Sequence, residues 1–161
     1  MRRIMIKPDQ MAVSAEPAVL ESLAVGSSIV VCLYDGKKKI GGMVHTLLPE
    51  KIQNTGNAYD RLRYVDSAIE QLYRELLKLG AGPEDMAAKL AGGARIFCFS
   101  EQREQTDIGK ANVSCARKCL RELKIPITSE DTGENYGRSV HFHVEDGRLE
   151  IETVNRTGYW I

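Results

Sequence analysis

The chain has 161 residues, with 22 lysines and arginines against 22 aspartates and glutamates, and 43% of its residues are hydrophobic. A domain of this length can bury a core without disulfide or metal support. Zero formal net charge, with no basic stripe, argues against a nucleic-acid-binding protein. The longest strongly apolar run, residues 28–34, is too short to span a bilayer, and the first ten residues lack the apolar core of an export signal. We therefore expect a cytoplasmic protein, not inserted in a membrane, with reduced cysteines.

The first strong pattern is the β-branched run over residues 28–34, which is closed by Asp35 and a glycine. Such a continuous apolar run predicts a strand buried on both faces. A second apolar run over residues 40–48 follows a lysine-rich turn and stops at Pro49. The two runs together predict a hairpin.

Apolar residues step by three and four between Tyr59 and Leu79, after a polar, turn-rich loop. The positions that share this spacing are Leu62, Val65, Ile69, Leu72, Leu76 and Leu79. The pattern predicts a long amphipathic helix, which Gly80 ends.

Residues 81–91 are interpreted as a connection, followed by a turn at Gly92-Gly93 and a short strand. The glycine pair is too short for a phosphate-binding loop, so we predict a plain turn. Phe97 and Phe99 follow it on one face of the strand. They are candidates for an exposed contact surface, with the alternative that one of them packs in the core.

Thr106 or Asp107 is predicted to cap a second helix that ends before Pro126. Cys115 and Cys119 lie four residues apart on this helix. No second pair of cysteines or histidines at metal-ligand spacing accompanies them, so we assign neither a metal nor a cofactor to the chain.

Clean alternation marks the C-terminal part of the chain. Val140, Phe142 and Val144 share one face, and Asp146-Gly147 supplies a tight turn before the pattern continues, which predicts a hairpin. Strands before, between and after two helices predict an α/β sandwich in one domain.

Few residues are candidates for chemistry. His45 lies within an apolar strand, where it is either a satisfied core group or a general acid/base. Ser27 and Ser28 follow Gly26 at the entry of the first buried strand, and they either cap a turn or expose a nucleophile beside backbone N–H donors. Arg138 either binds a carboxylate or is solvated or structurally paired. Spacing alone does not decide between these alternatives.

Six motifs in order carry a resemblance: GSSIVVCLYD, GGMVHTLLP, RYVDSAI, GGARIF, IGKANV and DTGENYGRSVHF. They resemble the CheD family of chemoreceptor glutamine deamidases along nearly the whole chain. The resemblance implies one CheD-like domain over residues 1–161, folded as a three-layer α/β/α sandwich related to the catalytic domain of cytotoxic necrotizing factor toxins. It also implies a cytoplasmic chemotaxis protein that converts selected glutamines of methyl-accepting chemotaxis receptors to glutamates with release of ammonia. CheC, a phosphatase acting on phosphorylated CheY, is implied as a second partner.

The site that the resemblance implies is a Cys–His–Thr arrangement. The family's nucleophilic cysteine falls on Ser28, and the family's general acid/base falls on His45. The threonine that orients the histidine falls on Ser22, six residues before the nucleophile position. Gly26 and Ser27 then form the turn whose backbone N–H groups hold the oxyanion.

A serine at position 28 leaves three interpretations open: a deliberate Cys→Ser change, a natural pseudoenzyme, or a working serine nucleophile. A thiol with a pKa of about 8.5 is readily activated by imidazole, whereas a hydroxyl needs a better-placed base. We therefore predict that the chain is silent as a deamidase. The alternative function is a non-catalytic binding module that regulates CheC or the receptors. Cys32, inside the buried strand, is not assigned as the nucleophile.

Overall fold

The computed structural model describes residues 1–50, 60–96 and 107–161, which form two mixed five-stranded sheets and two helices. The strands are β1 Arg2–Met5, β2 Gln10–Ser14, β3 Ala18–Val25, β4 Ile29–Asp35, β5 Ile40–Thr46, β6 Met86–Gly92, β7 Ile127–Thr132, β8 Arg138–His143, β9 Arg148–Thr153 and β10 Arg156–Trp160. The helices are α1 Val65–Lys78 and α2 Ile108–Glu122. The first sheet has the order β1-β3-β8-β9-β10, and the second has the order β2-β5-β4-β6-β7.

Strand β4 lies at the centre of the second sheet and is buried on both faces, as its apolar run predicts. Ile29 and Leu33 point into a core shared with the two helices. Val30 and Cys32 point into a second core, which they share with Phe142 of the first sheet. The strand therefore separates two hydrophobic cores.

In the described residues, both helices pack on one face of the second sheet, and the first sheet covers the other face. The layer order is helices, sheet, sheet, so the predicted α/β/α order is wrong. The physical reason lies on the outer face of the first sheet, where Glu21, His141 and Glu150 are cross-strand neighbours. A face with these ionisable side chains does not provide the apolar surface that a packed helix needs.

The two predicted hairpins are confirmed. Strands β4 and β5 pair antiparallel from Ile29 opposite Thr46 to Asp35 opposite Ile40, and β8 and β9 pair antiparallel across the second turn. Asp107 caps α2 as predicted, because its carboxylate accepts a hydrogen bond from the Lys110 N–H at 3.0 Å.

Two other elements differ from the predictions. The predicted connection over residues 81–91 contains strand β6, which pairs with β4 in the middle of the second sheet. Its small alanines hide the alternation that buries Met86, Ala88 and Leu90. Helix α1 begins at Val65, later than predicted. Phe97 and Phe99 lie outside the described residues. No helix in the described ranges combines the length and apolar character needed to cross a membrane.

Asp35 fixes the end of β4 with three backbone hydrogen bonds. Its carboxylate accepts from the N–H groups of Lys37 at 2.9 Å, Lys38 at 3.1 Å and Gly82 at 2.8 Å. Burial by itself raises the pKa of Asp35, but these backbone hydrogen bonds outweigh it and the pKa is lowered. The ionised carboxylate therefore joins the β4–β5 turn to the segment before β6.

We expect Asp35→Asn to lower the free energy of unfolding by about 2–4 kcal/mol, because the neutral amide oxygen of a buried asparagine accepts fewer and weaker hydrogen bonds from these three N–H groups. Urea unfolding at neutral pH measures this loss. Asp146→Asn is the matched control: the Asp146 side chain is half exposed and accepts from the Arg148 N–H at 3.0 Å. Equal effects of the two substitutions would contradict the prediction.

Candidate functional site

Ser28 and His45 meet at one end of the β4–β5 hairpin. The register places His45 opposite Val30, two residues after Ser28. The Ser28 hydroxyl oxygen lies 2.7 Å from His45 Nε2, a hydrogen-bonding distance. Both side chains are buried, with Ser28 8% and His45 2% exposed. The structure thus brings together two residues that the family resemblance placed in one site.

The environment of His45 keeps its imidazole neutral at neutral pH. Burial lowers the pKa of His45 to about 4, and the nearby negative charge of Asp9 opposes this shift only in part. In the tautomer that carries its proton on Nδ1, the Ser28 hydroxyl donates to Nε2. A neutral imidazole in this state can accept a proton from a nucleophile and later give it to a leaving group.

His45 Nδ1 is buried and has no hydrogen-bond partner within the described ranges. The main chain of His45 is fixed instead, since its carbonyl accepts from the Asp9 N–H at 2.9 Å. The strand backbone, rather than a bond to Nδ1, therefore positions this imidazole.

Ser22, the third predicted site residue, is fully buried in β3. Its hydroxyl donates to the Ile6 carbonyl at 2.6 Å. Across the described part of the chain, the structure shows no hydrogen bond between Ser22 and His45. Ser22 joins β3 to the segment that follows β1, and any effect on the imidazole is indirect.

Backbone hydrogen bonds from the glycine-rich segment after β6 hold the turn at Gly26 and Ser27. The Gly26 carbonyl accepts from the Ala94 N–H at 2.9 Å, and the Ser28 carbonyl accepts from the Gly93 N–H at 2.8 Å. Gly26 is half-buried, while Ser27 is exposed. The turn therefore has a fixed backbone and an accessible edge beside the Ser28 hydroxyl.

Close backbone approach explains the glycines of this segment. Gly92 has φ +115°, and a Cβ on it would lie 2.5 Å from the Ser28 carbonyl oxygen. Gly109 at the start of α2 would meet the Gly93 and Ala94 carbonyl oxygens at 2.5 Å if it carried a Cβ. The plain turn predicted at Gly92-Gly93 is thus the support on which the Ser28 turn and α2 pack.

Asn112 is a residue that sequence reasoning missed. It lies on α2, is fully buried, and donates from Nδ2 to the Ser27 carbonyl at 2.8 Å and to the Leu47 carbonyl at 3.0 Å. Its Oδ1 is buried with no partner among the described residues. The only signal in the sequence is an amide on the helix face that also carries Val113 and Ala116.

Other candidate residues lie outside this pair. Cys32 is buried between the two sheets, and burial raises the pKa of its thiol, so it remains an inert core thiol. Arg138 is fully buried and forms an ion pair with Asp131 at 2.9 Å, so it is structurally paired. Cys115 and Cys119 have sulfur atoms 4.0 Å apart on α2.

One group in the described ranges has metal-ligand geometry: His141, Glu150 and Glu152, whose ligand atoms lie within 4.8 Å of one another. The group lies on the outer face of the first sheet, and its histidine Nδ1 already contacts the Glu21 carboxylate at 2.6 Å. Ser28 and His45 are not part of this group.

Comparison with known sequences assigns the chain to a protein family. A family profile described as CheD chemotactic sensory transduction matches residues 47–153, about two thirds of the sequence. The chain belongs to the CheD family. It is 43% identical over 142 residues to a probable chemoreceptor glutamine deamidase CheD of Clostridium novyi, covering 88% of this chain and 87% of that protein.

Two further CheD proteins show similar agreement. A probable chemoreceptor glutamine deamidase CheD of Caldanaerobacter subterraneus subsp. tengcongensis is 41% identical over 144 residues, covering 88% of this chain and 87% of the relative. The chemoreceptor glutamine deamidase CheD of Halalkalibacterium halodurans is 39% identical over 140 residues, covering 87% and 86%. The similarity to named CheD deamidases thus extends over most of each chain.

Proposed function

We propose that this CheD chain, one domain over residues 1–161, has the site of a deamidase that converts glutamines of methyl-accepting chemotaxis receptors to glutamates. Ser28 occupies the nucleophile position and His45 is the general acid/base. The observation that carries the proposal is the 2.7 Å contact between the Ser28 hydroxyl and His45 Nε2. The agreement with CheD relatives over most of the chain supports the choice of substrate.

The chemistry requires a thiolate at position 28. The sulfur adds to the carboxamide carbon, and the resulting oxyanion lies near the backbone N–H groups of the turn at Gly26 and Ser27. His45, protonated at Nε2 by the nucleophile, gives its proton to the nitrogen, and ammonia leaves. Water, deprotonated by His45, then hydrolyses the thioester to leave glutamate and the free thiol. Nucleophile and imidazole return to their starting protonation states.

A serine at position 28 keeps the shape of this site but removes the sulfur. The hydroxyl is a poor nucleophile unless a well-oriented base activates it. His45 Nδ1 has no partner in the described ranges that would hold the imidazole in one tautomer. The chain as sequenced is therefore expected to be silent, or nearly so, as a deamidase.

The test compares this chain with its Ser28→Cys variant, using a chemoreceptor signalling domain as substrate. Ammonia release and a gain of about one dalton per converted glutamine are expected for the cysteine form only, because a positioned thiolate is the stronger nucleophile. Ser28→Cys combined with Cys32→Ala is the matched control, and it should keep the activity because Cys32 lies in the core.

Two outcomes contradict parts of the proposal. A folded Ser28→Cys protein that modifies no glutamine of a receptor from the same organism would contradict the deamidase site. Equal activity of the unaltered chain would show that Ser28 is a working nucleophile and would contradict its silencing.

A non-catalytic role is the second candidate, and the serine at the nucleophile position favours it. In this role the chain binds CheC or the receptors and regulates them without chemistry. Co-precipitation with CheC at micromolar concentration tests the idea, and a complex that forms equally with Ser28 and with Ser28→Cys is expected. Absence of any complex with CheC would exclude this partner. The relation to the cytotoxic necrotizing factor fold and the cytoplasmic location stay predictions.

A further inference from the structure

We propose that Asn112 is a positioning residue that holds the Ser28 turn and the end of the His45 strand at reacting distance. The names nucleophile and base rest on the proposed function. The geometry of the Asn112 contacts does not depend on it, because these contacts are made by the folded chain without any substrate.

The Asn112 amide bridges the two segments that carry the site. One Nδ2 proton goes to the carbonyl of Ser27, directly before Ser28, and the other goes to the carbonyl of Leu47, two residues after His45. The β4–β5 ladder ends at the pair Ile29–Thr46. Asn112 therefore supplies the next connection between the two chain segments beyond the last rung of the ladder.

The unpaired oxygen of Asn112 indicates that the position is not a simple packing position. Asn112 Oδ1 is buried without a partner in the described part of the chain, and a buried acceptor without a hydrogen bond lowers the stability of the fold. An apolar side chain would avoid this cost on a face that also carries Val113 and Ala116. The amide is therefore best explained by its two donated hydrogen bonds.

The start of helix α2, which carries Asn112, is fixed by a cap and by close packing. Its first turn is capped by Asp107, and Gly109 packs directly on the carbonyl oxygens of Gly93 and Ala94. The N–H groups of these two residues bind the carbonyls of Ser28 and Gly26. The turn that presents Ser28 is thus held by α2 through Asn112 and by the glycine-rich segment through backbone bonds.

Loss of this bridge should affect the nucleophile more than substrate binding. Without the Nδ2 donors, the carbonyls of Ser27 and Leu47 lose their partners, and the two segments can separate. Asn112 is fully buried, so it does not touch a substrate. The expected consequence is a lower kcat with little change in KM, since the interaction acts on the reacting groups only.

The experiment uses Asn112→Ala in the Ser28→Cys protein, with Leu120→Ala as the matched control. Leu120 is fully buried on the same helix and contributes only apolar packing. Alkylation by iodoacetamide at position 28 is followed across pH, and peptide mass spectrometry separates this thiol from the other cysteines. Asn112→Ala is expected to raise the pH of half-maximal alkylation by about one unit, because the thiolate loses its positioned imidazole. It should also lower kcat about tenfold or more with KM within about twofold.

Leu120→Ala should lower the melting temperature while leaving the alkylation profile and kcat unchanged below the transition. If Asn112→Ala does not fold, Asn112→Ser, which keeps one donor, takes its place and should give an intermediate shift. A folded Asn112 variant with the parent's alkylation profile overturns the positioning role. A shifted profile in a protein that deamidates no receptor supports the positioning role and contradicts only the proposed substrate.

Discussion

Replacing His45 by alanine in the Ser28→Cys protein is expected to lower receptor deamidation by about 10²–10⁴-fold, the usual contribution of a positioned general acid/base. The imidazole lies 2.7 Å from the nucleophile oxygen in the present chain. Its pKa of about 4 leaves it neutral and able to accept a proton at pH 7. Single-turnover kinetics with a receptor domain would measure the loss directly.

His143→Ala is the control for this experiment. His143 lies on the outer face of β8, where its ring contacts the Trp160 ring at an interplanar angle of 60°, with centroids 4.9 Å apart. It should retain full activity, because it is not part of the Ser28–His45 pair. If His45→Ala retained activity as well, the base would have to be another group, and the role assigned to His45 would be wrong.

Alkylation of the thiol that Ser28→Cys introduces at position 28 supplies a second measurement. With His45 present, the thiolate should form at a pH below the ordinary thiol pKa of about 8.5. With His45→Ala, burial should raise the pKa of this thiol, because no imidazole is then present to take up the thiol proton and stabilise the thiolate as an ion pair. Unchanged reactivity in the two proteins would contradict a coupled thiol–imidazole pair.

The parts of the fold that sequence patterns predict are those with strong periodicity. The β-branched run of β4 and the alternating residues around Val140 and Phe142 predict their strands correctly, because burial on one or both faces selects these residue types. Strand β6 escapes prediction because Ala88 and Ala91 are small and carry little hydrophobic signal. Burial by tertiary packing, rather than side-chain propensity, makes this segment a strand.

The layer order could not be predicted because it depends on the N-terminal strands. Strands β1 and β3 form the start of the first sheet, which closes over β4 from the side opposite the helices. The sequence shows two amphipathic helices but not which faces of the sheets they cover. A second helix layer requires an apolar outer sheet face, and the residues Glu21 and His141 exclude it there.

Some features of the candidate site could also be predicted from the sequence, and others could not. Ser28 and His45 are 17 residues apart in the chain. The family resemblance predicts that they share one site, and the structure shows their side chains in contact. The role of Ser22 as a direct partner of the imidazole does not follow from the structure, because Ile6 takes its hydrogen bond. The role of Asn112 cannot be predicted from residue spacing, because its partners are backbone carbonyls 65 and 85 residues away.

The free energy of unfolding should also depend on the protonation of His45. The direction of this pH dependence follows from the lowered pKa of His45. Burial lowers the pKa of His45 from 6.5 to about 4. Between these values the unfolded chain binds a proton that the folded chain does not, so protonation favours unfolding. The contribution of His45 to stability is complete above about pH 6.5, decreases as the pH falls, and is lost below about pH 4. The slope within this window is about 1.4 kcal/mol per pH unit, for a total on the order of 3 kcal/mol.

Urea unfolding of the unaltered chain and of His45→Gln between pH 7.5 and pH 5 isolates this effect. Glutamine is polar and does not titrate, so the difference in unfolding free energy between the two proteins should stay nearly constant above about pH 6.5 and shrink as the pH falls below this value. Glu21 and Asp35, whose pKa values are lowered, lose their contributions mainly below this range and do so in both proteins. Parallel stability curves for the two proteins would show that His45 titrates normally in the folded state. The imidazole beside Ser28 would then be solvated and charged below pH 6.5, which is incompatible with a buried neutral base.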